Sequence, residues 1–258
     1  MNESFETLMQ AATDVARVAG DLALRHFGDV LAPEAKHDGS PVTIADREAE
    51  RAAREWIESR YPGDGVVGEE FGESRPGAAR RWFIDPVDGT RTFVRGVPMW
   101  ATLIGVVEVD RVIAGAAYFP ALRETAAAGE GCGAWWNGSR CKVSAVSNLS
   151  EAALLTTDAR FPRAPSRRVA WERLADLAGV SRTWGDAYGY LLVATGRAEA
   201  MTDPQLQPWD AAPFQVLIEE AGGVFTDWRG RPTVFGGDAI ATNLALADLV
   251  RAALAPRP

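Results

Sequence analysis

The sequence predicts a protein of mixed α/β and α+β character, and three observations predict it. A helical period of apolar residues runs over the first 27 positions. Three β-rich runs then follow one another between residues 99 and 128. Beyond residue 150, strand-like and helix-like segments alternate to the C-terminus, the pattern of an α/β lobe.

Taken in order, Leu8, Ala12, Val15, Ala19 and Leu22 lie at helical spacing, so residues about 4–27 form an amphipathic first helix. A polar connection from Pro33 to Pro41 carries Lys36 and the turn-forming Asp38-Gly39-Ser40. Thr43 opens a second helix, roughly 43–60, which Pro62-Gly63 ends. Gly65–Gly68 and Arg81–Ile84 read as short strands that deliver Glu69 and Asp85 at their C-terminal ends. Met99–Val107 and Arg111–Tyr118 are two longer strands joined through Asp110, and Arg123–Ala128 extends their sheet. Glycines 129, 131 and 133 mark turns. The small, polar stretch Ser144–Ser150 divides an N-terminal α+β lobe, residues 1–145, from a C-terminal α/β lobe, residues 146–258, within one compact unit. The second lobe reads as a helix near 171–178, a strand at 181–184, a helix at 186–196 and a strand at 198–202. A helix at 210–221, strands at 223–227 and 239–242, and a final helix complete it.

The bulk numbers narrow the function. A chain of 258 residues can bury a large core, and 47% hydrophobic with 24% charged residues is ordinary for a globular protein. The net charge, 27 − 35 = −8, disfavours a broad footprint on nucleic acid or on an anionic membrane. An acidic protein that handles an anionic substrate needs cations to reverse the local sign. Cys132 and Cys141 match no CxxC or zinc spacing and are expected as reduced thiols. The first residues lack a basic start followed by an apolar run, and no apolar stretch approaches a membrane span. The expectation is a soluble cytoplasmic protein. His26 and His37 stand alone and read as surface residues. There is no GxSxG elbow, GxxxxGK[ST] loop or dinucleotide glycine fingerprint.

Asp85-Pro86-Val87-Asp88-Gly89-Thr90 carries the chemistry. Asp, Pro and Gly also make ordinary turns: Pro86 would end the strand, Gly89 would permit a tight backbone and Thr90 would cap a following helix. Turn chemistry explains one aspartate but not the surrounding acids. Two carboxylates three residues apart suit a hard divalent cation, which wants oxygen ligands and keeps positions open for water and phosphate. The Val87 carbonyl is a further candidate ligand, and the Gly89 and Thr90 amides could hold a phosphate. Glu69 follows a hydrophobic strand, where it could meet Asp85 at one sheet edge if a cation joins them. It would bind metal and orient the attacking water, with Glu70 a spectator. Asp46 fits the start of the second helix as a capping residue, with activation of water beside Thr90, or a place at an additional metal, as its second reading. Asp186 and Asp210 also open predicted helices, so their meaning depends on whether they converge.

Glu69-Glu70, Asp85-Pro86-Val87-Asp88-Gly89-Thr90 and Trp209-Asp210-Ala211-Ala212, with Ala221-Gly222-Gly223 beyond, resemble the signatures of the inositol monophosphatase-like family over essentially the whole chain. The resemblance implies a layered αβαβα sandwich, Mg²⁺-dependent hydrolysis of a phosphate monoester and a homodimer. It implies two or three Mg²⁺, replaceable by Mn²⁺, on Glu69, Asp85, the Val87 carbonyl, Asp88 and Asp210. Thr90, with Asp46 beside it, would position the water, and Gly89 and Thr90 would bind phosphate. Lys36 stands near a mobile lysine of some members, at a different spacing.

Within that family, four segments are similar to the histidinol-phosphatases: Lys36 to Thr43, Asp88 to Phe93, Trp184 to Tyr190 and Leu206 to Asp210. The substrate implied is L-histidinol phosphate. Its ammonium and imidazole call for acids not consumed by metal. Asp186 is such an acid, with Arg91, Arg182 and Gly185 as neighbours in the expected substrate site. Asp203 lies seven residues before Asp210, where the family usually has a substrate-contacting glutamate, and its side chain is one methylene shorter. The alternatives are inositol monophosphate, a sugar bisphosphate or a phosphoadenosine nucleotide as substrate, and, in another class, a silent metal- or phosphate-binding protein.

Overall fold

In the computed structural model of the chain, residues 3–28, 34–35, 41–162 and 164–255 are described. Lys36, His37 and the Asp38-Gly39-Ser40 turn lie outside them. Helix α1 (Phe5–Leu24) starts at Ser4, whose hydroxyl accepts from the Thr7 amide, and buries Leu8, Ala12, Val15 and Ala19 on one stripe. A two-residue pair, β1 (Glu34–Ala35) and β2 (Pro41–Val42), precedes α2 (Ile44–Arg60). The α2 start is a reciprocal capping box between Thr43 and Asp46, and its buried face carries Ala45, Ala49, Ala53 and Ile57.

The first sheet is built from β3 (Gly65–Gly68), β4 (Gly72–Ser74), β5 (Arg80–Asp88), β6 (Ala101–Glu108), β7 (Arg111–Phe119), β8 (Glu124–Gly129), β9 (Gly133–Trp136) and β10 (Ser139–Arg140), with α3 (Thr90–Val94) after β5. Among the described residues its order is β10-β9-β8-β7-β6-β5-β3-β4. Only the β3–β5 pair in it is parallel, and this brings the C-terminal ends of both strands to one edge. The second sheet contains β11 (Ala153–Leu155), β12 (Val180–Arg182), β13 (Ala200–Asp203), β14 (Val224–Thr226) and β15 (Ala239–Thr242), in the order β12-β11-β13-β15-β14. Its helices are α4 (Pro165–Ala175), α5 (Asp186–Ala194), α6 (Pro208–Glu220) and α7 (Ala247–Leu254).

Side-chain alternation separates the layers. Trp82 and Ile84 face the α1–α2 cluster, whereas Phe83 between them joins the core formed with α5 and α6. Leu154, Ala200 and Ile240 face the other way, into a third cluster with Trp171 and Leu174 of α4 and Val250 and Leu254 of α7. The order is therefore helix, sheet, helix, sheet, helix, the αβαβα sandwich that the family resemblance implies. Helix α6 lies close on the first sheet because its neighbours there lack side chains. A Cβ on Gly105 would stand 2.4 Å from that of Ala212, and one on Gly115 would stand 2.6 Å from Pro213 Cα.

Several local expectations are corrected. Pro86 does not end its strand: β5 runs on to Asp88, with a register shift against β6 between Asp85 and Asp88. Residues 133–136 form β9 rather than turns alone, and β4, β10 and β11 are strands that periodicity does not predict. Helix α4 starts at Pro165, six residues before the expected start, because proline suits the first helical position. Helix α6 begins at Pro208 for the same reason, so Asp210 is its third residue. Cys132 and Cys141 are free thiols, and among the described residues no helix is long and apolar enough to cross a membrane.

Candidate active site

The register shift at the end of β5 turns two aspartates toward the second half of the chain. Asp85 is buried, and its Oδ1 accepts from the Val87 amide at 3.0 Å. Half-buried Asp88 accepts at Oδ2 from the Ala187 amide, at 2.6 Å, in the first turn of α5. Asp210 reaches the same point from α6, where it accepts from Gln207 N at 3.0 Å in a second capping box. One carboxylate oxygen from each of Asp85, Asp88 and Asp210 lies within 4.8 Å of the others.

Such convergence is unfavourable without a counter-charge. Burial pushes Asp85 and Asp88 well above the usual carboxylate range. The charge of Glu69 raises Asp85 further, and those of Asp186 and Asp210 raise Asp88. Burial raises Asp210 to about 7, again with Glu69 adding to it. An all-oxygen cluster whose members repel one another fits a hard divalent cation, so these residues suit the metal that the motif predicts. Glu69 is outside the set within 4.8 Å but close enough for its charge to act on all three aspartates.

Asp46 is fully buried and held from two sides. The Thr43 amide and hydroxyl donate to its Oδ2 at 2.8 and 2.6 Å, and the Thr90 hydroxyl donates to its Oδ1 at 3.3 Å. The capping and catalytic readings of Asp46 are thus compatible in one side chain. Thr90 is not the cap of α3. That position belongs to Gly89 at φ 82°, and the Thr90 hydroxyl also lies 3.1 Å from the Val87 carbonyl. The Gly89 carbonyl accepts from Phe93 N, while the Thr90 amide at the head of the turn has no intrahelical acceptor.

A cavity of about 130 Å³ opens beside the cluster, lined by Asp88, Asp186, Asp203, Asp210, Thr157 and Tyr190 among others. Asp203 is buried and accepts from Tyr190 Oη at 3.0 Å and Thr157 N at 3.2 Å, and burial pushes it up to about 6. Asp186 has φ 50°, and its Oδ2 accepts from the Thr92 hydroxyl at 3.4 Å. Burial raises its pKa, against the lowering effects of Thr92 and the Arg91 guanidinium. Gly185 packs against the Thr157 backbone, where a Cβ would stand 2.3 Å from Thr157 Cα. The structure does not bring Arg182 to this cavity: it is exposed on β12 and donates to the Ser181 carbonyl. Glu50, Thr157 and Tyr190 also brace the site, and no catalytic motif in the sequence points to the last two. For Glu50 a signal existed, since it follows Asp46 by four residues on a helix face otherwise made of Ala45, Ala49, Ala53 and Ile57.

The profile of the inositol monophosphatase family matches residues 4–256. The chain is 40% identical over 247 residues to a histidinol-phosphatase of Chlorobaculum parvum, covering 95% of each chain. It is 39% identical to a histidinol-phosphatase of Mycobacterium tuberculosis, covering 96% of this chain and 97% of that one. Among solved structures it is similar to an inositol monophosphatase from Zymomonas mobilis, with TM-score 0.88, 32% identity and coverage of 98% and 99%.

Proposed function

Because the chain belongs to the inositol monophosphatase family, we propose that it is a metal-dependent phosphatase that hydrolyses L-histidinol phosphate to L-histidinol and phosphate in L-histidine biosynthesis. The observation that carries the substrate is the pair Asp186 and Asp203, two acids that line the cavity but stand outside the Asp85–Asp88–Asp210 cluster. Spare carboxylates suit a leaving alcohol that bears an ammonium and an imidazole, because they can form ion pairs that a neutral polyol cannot make. Histidinol-phosphatases at 38–40% identity support the same reading.

Asp85, Asp88, Asp210, Glu69 and the Val87 carbonyl would hold the cation, Mg²⁺ by the hardness of the donors, with Mn²⁺ able to replace it. When bound, it supplies Lewis-acid activation of water and neutralises charge on the phosphate and the departing oxygen. The chain's own residues do the rest. The Thr90 hydroxyl directs its proton toward Asp46 or the Val87 carbonyl, which leaves its lone pairs free to accept from the attacking water. Asp46 is fixed by Thr43 and stands as the proton sink behind Thr90. Glu69 would orient the same water, and the Gly89 and Thr90 amides would bind phosphate oxygens. Asp186 and Asp203 would orient the cationic alcohol, with the Thr92 hydroxyl and then the Arg91 guanidinium favouring the ionised form of Asp186 against its burial. We also infer a homodimer acting in the cytoplasm, which sedimentation and cell fractionation test.

Phosphate release from a panel under Mg²⁺ tests the function. L-histidinol phosphate should exceed myo-inositol 1-phosphate, fructose 1,6-bisphosphate and a phosphoadenosine nucleotide by at least about tenfold in kcat/KM, as one charge-assisted hydrogen bond supplies. Faster hydrolysis of inositol phosphate would overturn the substrate. Mg²⁺ binding with no turnover on any ester would leave a silent binding protein.

A further inference from the structure

We propose that Glu50 is a positioning residue for Glu69, and that Arg54 in turn holds Glu50. The inference rests on the reading of Glu69 as a cation ligand. Glu50 lies on the buried face of α2 and is 0% exposed. Its Oε2 accepts from the Glu70 amide at 2.7 Å and its Oε1 from the Phe71 amide at 3.2 Å. One residue earlier, the Glu69 amide donates to the Ile84 carbonyl at 3.2 Å, continuing the parallel β3–β5 ladder. Three consecutive amides, 69 to 71, are therefore fixed: the first by the strand that carries Asp85, the next two by one carboxylate. The Glu69 Cα cannot shift relative to Asp85 without breaking this set.

Arg54 completes the clamp. Its Nε donates to Glu50 Oε1 at 2.7 Å, and its other arm donates to the Gly72 carbonyl at the far side of the same turn. The pair thus holds the three residues that follow Glu69, 70 to 72, while the β5 strand holds Glu69 itself. Gly68 makes the space: a Cβ there would stand 2.0 Å from Glu50 Oε1 and 2.8 Å from an Arg54 nitrogen. A strand that needed only to pair with β5 would tolerate a side chain at that point, and this one has given it up to the carboxylate. Residues that orient a ligand from outside the coordination sphere typically change metal affinity or activity about 10–100-fold when removed.

The test is Glu50→Gln combined with Arg54→Gln in the full chain, which avoids stranding a half-buried guanidinium. Mg²⁺ alone is titrated into the folded protein by calorimetry, and phosphate release is measured against Mg²⁺ concentration. We expect the Mg²⁺ Kd to rise about 10–100-fold, with kcat recovered to within about threefold at saturating Mg²⁺. If the double variant does not fold, Arg54→Lys, which keeps the charge and loses the two-armed grip, should raise the Kd in the same direction by a smaller factor. A Kd equal to wild type in the folded variant makes the pair merely structural and overturns the inference. If the wild-type chain itself binds no Mg²⁺, the cation reading of Glu69 fails, and this inference fails with it.

Discussion

The Ala187 amide donates a 2.6 Å hydrogen bond to Asp88 Oδ2 across 99 residues of chain, joining the first turn of α5 to the end of β5. The bond also lowers the pKa of Asp88 against the burial and the neighbouring charges that raise it. A helix N-terminus carries partial positive charge, so α5 helps to keep a crowded carboxylate ionised. Each half of the chain supplies what the other lacks: Asp85 and Asp88 come from the first sheet, and Asp210 with the α5 amide from the segment around the second.

Asp88→Asn keeps the shape of the side chain and an acceptor for Ala187 while removing one charge. Turnover of L-histidinol phosphate under Mg²⁺ should fall about 10²–10³-fold or more, the scale for losing one well-placed electrostatic group. Metal-free thermal stability should not fall, because a repulsive charge has gone from the cluster. Near-native rates in this variant would remove Asp88 from the machinery.

The site motifs were more legible than the elements that carry them. Asp85 to Thr90 announces itself because turn chemistry cannot account for so many acids. What one sequence hides is reach between distant segments. The Ala187 amide is invisible in the sequence because any residue except proline has that donor. The αβαβα layers were implied by the family motifs, whereas the alternation of strands and helices pointed only to an α/β second lobe. Strand β11 (Ala153–Leu155) left no signal, since a three-residue strand between two parallel neighbours is too short to show a period. Strand β9 was masked by Gly133 and by glycines 129 and 131 before it, although Trp135 and Trp136 lie in it. Pro86 misled because proline usually stops a strand, yet here it sits at a break in the ladder where no β6 partner needs its missing N–H.

Asp186 should govern substrate choice more than chemistry. Its carboxylate lies beside Gly89, 3.2 Å from where a Cβ on that glycine would be, and faces the Thr92 hydroxyl. Asp186→Asn should lower kcat/KM for L-histidinol phosphate about 10–100-fold, the scale of one charge-assisted hydrogen bond, mainly through KM. Hydrolysis of a neutral-alcohol ester such as glycerol 2-phosphate should change less than about threefold, well within one such bond. An equal loss on both esters would mean that Asp186 serves the metal cluster and not the alcohol.

The crowded acids also set a pH dependence. Asp203 is raised from 3.8 to about 6 and Asp210 from 3.8 to about 7, both chiefly by burial. Below about pH 4 these groups are protonated whether the chain is folded or not, and they impose no penalty. As pH rises, the unfolded chain releases protons that the folded chain retains, so metal-free stability falls through about pH 7, where Asp210 is about half ionised. Asp158 and Asp227 are lowered and run the other way, but their contribution is complete by about pH 5. In EDTA the melting temperature should therefore decline between about pH 5 and pH 7, and Asp203→Asn should flatten part of that slope. Mg²⁺ should raise the melting temperature most above pH 7 and progressively less toward pH 5, because it competes with these protons. A metal-free melting temperature that rises through this interval would contradict the assignment of the buried acids.

Packing of α6 on the first sheet should control both stability and the cation site, because α6 carries Asp210. A methyl on Gly115 would stand 2.6 Å from Pro213 Cα and 3.2 Å from the Pro213 carbonyl oxygen, which are helix backbone and cannot rotate aside. Gly115→Ala should thus push α6 off the sheet and destabilise the protein by about 1–3 kcal/mol. In a chain of this size that corresponds to a fall of roughly 2–12 °C in melting temperature. The displacement also moves Asp210 relative to Asp85, so the Mg²⁺ Kd measured by calorimetry should rise with it. Gly63→Ala is the control, since nothing lies within 4 Å of its Cβ position, and it should leave both quantities near wild type. Unchanged melting and Mg²⁺ binding in Gly115→Ala would show that α6 is free to shift, and that its close seat on β7 does not hold Asp210 in the cluster.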